Sequence, residues 1–325
     1  MGNVGTIKTA ARRFSVVVPS FQQGEFLERS LQSIFSQDDP NVEVIVQDGG
    51  STDQSVGILE RYAGRVRWES KHDEGQAAAM NEGLQKASGE YLCCLNSDDV
   101  FYPGAFHKVR EFFDAHPEAM VAYGLADFID EQDRVIAAYP VEPWNYGRLL
   151  ETCFVCQPAC FFRRAVLERF GLFDRTLRYA MDYDYWLRVG AVEPFHFLCQ
   201  KLAASRYHGS AKTFSRSRDA HREAISVLRR YHHGRIPPRW IVAYARHCGE
   251  GQLREGGALP MRWAKFAFSY WINLLRLAPF VTPDGMKMLL HKLGPPYPSA
   301  CQRQRGQLEY LERDLIGQQG GPANS

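Results

Sequence analysis

The chain has 325 residues, room for one large domain or two ordinary ones, and its 39 Lys and Arg against 37 Asp and Glu leave a formal net charge of only +2. With 45% apolar and 23% charged residues it has the make-up of a globular protein, and so small a net charge removes nucleic acid as a global partner. The opening residues are polar and basic without an apolar run, so no secretory signal is expected, and eight scattered cysteines suit reduced thiols in a cytosolic compartment.

Residues 1–12 read as a flexible start. "FSVVVPSF" is a β-branched strand ended by Pro19, and "GEFLERSLQSIFSQ" a helix with Phe26, Leu27, Ser30, Leu31 and Ile34 on one face. "NVEVIVQDGGSTD" is a second strand closing in a Gly-rich loop, "QSVGILERYA" a second helix and "RVRWES" a third strand. "GQAAAMNEGLQKA" is a third helix ended at Gly89, and "GEYLCCLN" a fourth strand. Strands alternating with helices indicate βαβ units and a parallel sheet covered on both faces. After Tyr102 the rhythm changes. "PGAFHKVREFFDAHPEA" is a helix opened by Pro103, and "MVAYG", "DFID" and "RVIAAYP" read as short strands of an antiparallel element turning at "EQD". From about residue 216 to 315 the chain is basic and helical, and 316–325 reads as a disordered tail.

Two segments have more than one reading. Cys153, Cys156 and Cys160 give C-x2-C-x3-C, but nothing nearby completes four metal ligands, and packed thiols are expected. "MRWAKFAFSYWINLLRLAPFV", residues 261–281, is too charged to span a membrane, with Arg262, Lys265 and Arg276. Its composition is that of a helix at a membrane interface, or of one packed on its own domain.

In parallel sheets ligands bind beyond the carboxyl ends of the strands. Three of the expected strands end in polar clusters: Ser20 to Gln22, Asp48 to Asp53, and Asn96 to Asp99. Adjacent carboxylates such as Asp98 and Asp99 repel each other unless a cation or another partner lies between them. No G-x-G-x-x-G follows the first strand, and no G-x-x-x-x-G-K-[ST] occurs anywhere. The second cluster, Asp48-Gly49-Gly50-Ser51-Thr52-Asp53, offers an Asp that can accept an imide N–H and glycines that admit a flat base. A plain strand–turn–helix with a capping Asp has the same pattern.

"VVVPSF", "VQDGGSTDQSV", "HDEGQAAAMNEGLQKASGEYLCCLNSDDVFYPGA" and "MDYDYWLR" together resemble the family 2 glycosyltransferases, over about residues 13–215. The resemblance implies an α/β GT-A fold, Rossmann-like, with a mostly parallel central sheet flanked by helices and here a C-terminal helical extension over 216–315. It places Pro19, Ser20, Phe21, Asp48 and Gly49 at the nucleoside, Asp73 and Asn81 near the nucleotide, and Asn96 and Ser97 at the ribose. Asp98, Asp99 and His208 would hold a divalent metal, Mn2+ or Mg2+, on the diphosphate. Arg206, His208 and Lys212 would lie near the leaving group, and Gln157 on the acceptor side. Asp182 would be the general base, with Asp184 the alternative. Asn96 departs from the family's usual Asp, Met80 from a frequent Arg, and Met181 from a frequent acid.

The implied activity is inverting, metal-dependent transfer from a nucleotide-sugar donor, UDP-linked, to a hydroxyl acceptor in surface-polysaccharide or lipid-linked oligosaccharide synthesis. Such an enzyme is expected in the cytoplasm or peripheral on the inner face of the membrane. The alternatives are a sugar-1-phosphate nucleotidyltransferase, which wants basic residues that "PSFQQGEF" lacks, and a non-catalytic nucleotide-sugar-binding homologue.

Overall fold

The computed structural model describes residues 14–37, 39–209, 217–253, 259–277 and 280–281. The expectations for 1–12, for Lys212 and for the tail 316–325 lie outside them.

β1 (Phe14–Ser20) is buried at every position and pairs in parallel with β2 (Val42–Asp48) on one side and β4 (Tyr91–Cys94) on the other. β3 (Arg67–Ser70) extends the parallel set beyond β2. Strand order is β3-β2-β1-β4-β8-β6-β9-β5, with β5 at Val100–Phe101, β6 at Val121–Ile129, β8 at Cys160–Arg163 and β9 at Phe195–Arg206, so the chain reverses direction across the sheet between β1 and β4. In such sheets ligands bind at that reversal, here flanked by Ser20 at the end of β1 and Asn96 past the end of β4.

Alternation along the strands divides the core. Val16, Val18, Val44, Val46 and Cys93 face one layer, with α1 (Gly24–Phe35), α2 (Ser55–Arg61) and α4 (Ala105–Ala115). Val17, Ile45, Leu92 and Cys94 face the other, with α3 (Gln76–Lys86) and α7 (Met181–Gly190). Each of these side chains stabilises the fold by about 1.5–3 kcal/mol if fully buried. The expected apolar face of α1 is the buried one.

The second half departs from expectation in three ways. "MVAYG" and "DFID" are parts of one nine-residue strand, β6 (Val121–Ile129), with β7 (Val135–Ala138) turned back onto it. β8 (Cys160–Arg163) runs antiparallel between β4 and β6, after α5 (Tyr146–Glu151) and a 3-10 turn at Gln157–Ala159. β9 (Phe195–Arg206), which follows α6 (Arg164–Phe170) and α7, pairs with β6 and carries the two-residue β5 (Val100–Phe101) on its far side. Its register shifts at Gly124, where an added Cβ would lie 2.6 Å from the Gln200 carbonyl.

α8 (Ser217–Tyr231) puts Ala224, Val227 and Leu228 into the same core as Trp186, Leu187 and Phe195. The sequence division expected near 215 therefore separates helices that share a core. α9 (Pro238–Leu253) and α10 (Leu259–Leu277) pack beyond it around Ile236, Ile241, Ala245 and Leu274.

Candidate active site

The ends of β1 and β2 are tied into one platform. Gly49 N donates to Ser20 O at 2.8 Å, Gln22 N to Ser51 Oγ at 2.8 Å, and Gly24 N to Asp53 Oδ2 at 2.8 Å. Asp48 is buried beneath this platform. Its Oδ2 accepts from Gly50 N at 3.1 Å, Ser51 N at 2.8 Å and Ser70 Oγ at 2.6 Å, while Oδ1 accepts from Ser51 Oγ at 2.6 Å. Four bonds match the roughly four lone-pair sites of a carboxylate. Asp48 thus organises the loop from behind, in place of the direct base contact expected for it.

Other groups face outward. The Phe21 ring is 57% exposed, and a Cβ added at Gly49 would meet both that ring and Asp73 Oδ2 at 3.1 Å. Asp73 Oδ1 accepts Gly75 N at 2.7 Å, which leaves Oδ2 toward Gly49. Pro19 and Ser97 are buried. Ser20 Oγ is buried at the β1 end with no hydrogen-bond partner among the described residues. Asn81 points elsewhere: its amide donates to Phe173 O and accepts Phe173 N, both at 2.9 Å. It braces α3 against the 171–174 loop rather than reaching a nucleotide.

The end of β4 separates the two adjacent carboxylates. Asp98 is half-buried, and its Oδ2 lies 2.9 Å from His208 Nε2. His208 is buried with its ring 4.8 Å from that of Phe26. Asp99 points inward. Its Oδ1 accepts Arg206 N at 2.8 Å and its Oδ2 accepts Asn96 Nδ2 at 2.9 Å. Asn96 Oδ1 in turn accepts Gln76 Nε2 at 2.6 Å. Burial and the neighbouring Asp98 charge push the Asp99 carboxyl well above the ordinary range. Asp99 is therefore a support and drops out of the expected metal set. The Asn at 96 has a physical reason, since an Asp there would have no N–H to give Asp99.

Arg206 is a clamp, not a group reaching for the leaving diphosphate. Its buried guanidinium donates to Asp98 O at 2.7 Å and Asp130 O at 2.6 Å, and pairs with Asp133. Among the described residues no three His, Cys, Asp or Glu side chains cluster to hold a metal alone. Asp98 and His208 nevertheless suit a hard cation that takes one or two protein ligands and completes its shell with phosphate oxygens and water.

The third group is at the start of α7. Asp182 is half-buried, its Oδ1 accepts Tyr183 N at 2.7 Å, and burial lifts its carboxyl to about 6, with a further push from Glu223. Asp182 and Asp99 both act electrostatically on Tyr139 and on Cys156, the residue before Gln157. Gln157 Nε2 donates to Cys94 O at the end of β4, while its buried Oε1 has no partner among the described residues.

Asp184 is excluded as a base by its contacts. It is buried, accepts Tyr231 Oη at 3.0 Å, and lies 3.4 Å from Arg230 and 3.7 Å from Arg188. Burial pushes the thiols around Gln157 upward, Cys94 to about 12.

Sequence reasoning did not find Glu223. Its carboxylate accepts Arg178 N at 2.9 Å, Tyr179 N at 2.6 Å and Ala180 N at 2.7 Å, and so holds the entry to α7 from α8. An acid at a helix N-terminus also favours the helix dipole. Gln76 and Tyr139 were missed as well. No local pattern marks any of the three.

Residues 15–171 match the family model described as Glycosyl transferase family 2. An uncharacterised glycosyltransferase of Rickettsia conorii is 27% identical over 229 residues, which cover 66% of this chain but only 37% of that protein. A PGL/p-HBAD biosynthesis glycosyltransferase of Mycobacterium bovis is 29% identical over 184 residues, 55% of this chain and 70% of that one. Among solved structures, S. aureus TarS 1-349 in complex with UDP-GlcNAc superposes with a TM-score of 0.57 at 18% identity, covering 83% of this chain and 84% of that one. The mannosyltransferase PcManGT of Pyrobaculum calidifontis, in complex with GDP-Man and Mn2+, gives 0.52 at 18% identity, covering 94% and 88%.

Proposed function

Since the chain belongs to glycosyltransferase family 2 and has the GT-A fold, we propose that it moves a sugar from a UDP-linked donor to a hydroxyl of a glycan or lipid-linked acceptor, inverting the anomeric carbon. The observation that carries this reading is the pairing of Asp98 with His208 past the end of β4, together with a separate half-buried carboxylate, Asp182, lifted to about 6 at the start of α7. One pair suits a diphosphate-bound cation, and the other group suits proton removal.

The exposed Phe21 ring offers a face for the base, and Asp73 Oδ2 an acceptor for one N–H. Because Oδ1 of Asp73 is already bonded, a single imide donor, as in uracil, suits it better than the paired donors of guanine. Gln157 Oε1 is an acceptor for a sugar hydroxyl. Asp98 and His208 would hold Mn2+ or Mg2+, which when bound neutralises charge on the diphosphate.

Asp182 takes the proton of the acceptor hydroxyl. The acceptor oxygen bonds to the anomeric carbon as the bond from that carbon to the diphosphate breaks. With Asp184 engaged by α8, no second carboxylate on α7 offers a covalent intermediate, and a single displacement inverts the centre. A lipid-linked acceptor would bring the enzyme to the inner face of the cell membrane.

Calorimetric titration of UDP, GDP and ADP with Mn2+, joined to turnover of UDP-sugars, tests the reading. UDP should bind tightest, and Asp98→Asn should demand more Mn2+. Asp182→Asn should keep both affinities and lose about 10²–10⁴-fold in kcat. Equal binding of the three diphosphates, or normal turnover by Asp182→Asn, would overturn it.

A further inference from the structure

α10 turns an apolar face to the outside. Phe268, Trp271 and Leu275 are 70%, 43% and 67% exposed, and at 100° per residue they occupy one arc of the helix. The packed side carries Tyr270, Leu274 and Leu277, with Leu274 buried in the cluster of Ile236 and Ile241. Lys265 and Arg276 are exposed at the polar border of the same arc. No acidic residue occurs between Glu255 and Asp284. No described helix is long and apolar enough to cross a membrane.

We infer that this face docks on an anionic lipid surface, with Phe268, Trp271 and Leu275 in the headgroup boundary and Arg276 against lipid phosphates. Aromatic and aliphatic side chains flanked by cations, with no acid among them, fit that boundary. A second copy of the chain would bring like charges together across the same face. The inference deepens the proposed function by naming the surface that meets the membrane carrying the acceptor. Vesicle binding is read without sugar transfer, so either can fail while the other stands.

The test is flotation of the full chain with phosphatidylcholine vesicles, with and without phosphatidylglycerol, at low and high salt. The chain should float only with the anionic vesicles and be released by salt. Phe268→Glu with Leu275→Glu should weaken binding at least about tenfold, and Arg276→Gln about fivefold, near one cation's share. UDP affinity and melting temperature should stay those of the wild type, because the substituted side chains are exposed. Absence of flotation at low salt, equal binding to neutral vesicles, or full binding by the Glu variant would overturn the inference. So would a concentration-dependent dimer, seen by sedimentation, that the Glu variant dissolves without any vesicle binding.

Discussion

Glu223→Ala removes a carboxylate that bonds three consecutive backbone N–H groups, at 2.6–2.9 Å, just ahead of Asp182. A hydrogen bond to a charged group contributes about 1.5–3 kcal/mol, but these three share one half-buried carboxylate and water can replace part of them. A total loss of about 2–4 kcal/mol is expected, or about 5–15 °C in Tm for a domain of this size. Loosening the entry to α7 also moves Asp182, and about 1 Å of misplacement is enough for a hundredfold loss of rate. The proposed donor site lies at the ends of β1, β2 and β4, away from this brace, so UDP affinity should not change. Glu223→Gln keeps one acceptor oxygen and removes the charge that helps lift Asp182, so its acidic pH limb should move to lower pH. The assays are thermal denaturation, UDP titration, and kcat/KM against pH on both variants. If Glu223→Ala loses stability but keeps kcat, or loses UDP affinity in step with kcat, the brace does not position the base.

In the wild type kcat/KM should rise through pH 6 and level off above it, because Asp182 must be charged to accept a proton. Its raised folded value means the folded state holds that proton more tightly than the unfolded one, so this group favours folding below about pH 4 and opposes it as pH rises through 6. Asp182→Asn should therefore be more stable than the wild type near pH 7.5 by about 1–3 kcal/mol, with no difference in strong acid; a less stable variant at pH 7.5 contradicts this. Phe21→Ala should weaken UDP binding about 5- to 100-fold with little change in kcat, the loss of one base–aromatic stack, and unchanged affinity in titration would remove the ring from the site. Asn96→Asp should lower Tm without a divalent cation and gain more than the wild type from added Mn2+; a fall that Mn2+ leaves untouched would argue against a cation beside Asp98.

The parallel half of the sheet was legible because its signals are local: β-branched runs, the buried face of α1, and polar residues just past β1, β2 and β4. Which of two neighbouring carboxylates faces outward was not. Asp98 and Asp99 are sorted by Arg206 and His208 at the end of β9, and Asp182 and Asp184 by Tyr231 and Arg230 on α8. β9 itself was hidden because Gln200 and Lys201 interrupt its apolar run where the register shifts. Asp48 looked like a base contact because sequence shows a carboxylate but not the four donors that saturate it.

The Asp98–His208 pair joins residues 110 positions apart. A ribosome adding about 5–20 residues per second leaves Asp98 made, but His208 absent, for about 5–20 s. During that interval Asp99 lacks the Arg206 amide and β5 has no strand to pair with. The platform at the ends of β1 and β2 can close long before, since the loop bonds that tie it lie inside residues 20–70. The nascent chain thus acquires the proposed base-binding surface first and the proposed diphosphate end last, and the entry to α7 stays unbraced until Glu223 emerges.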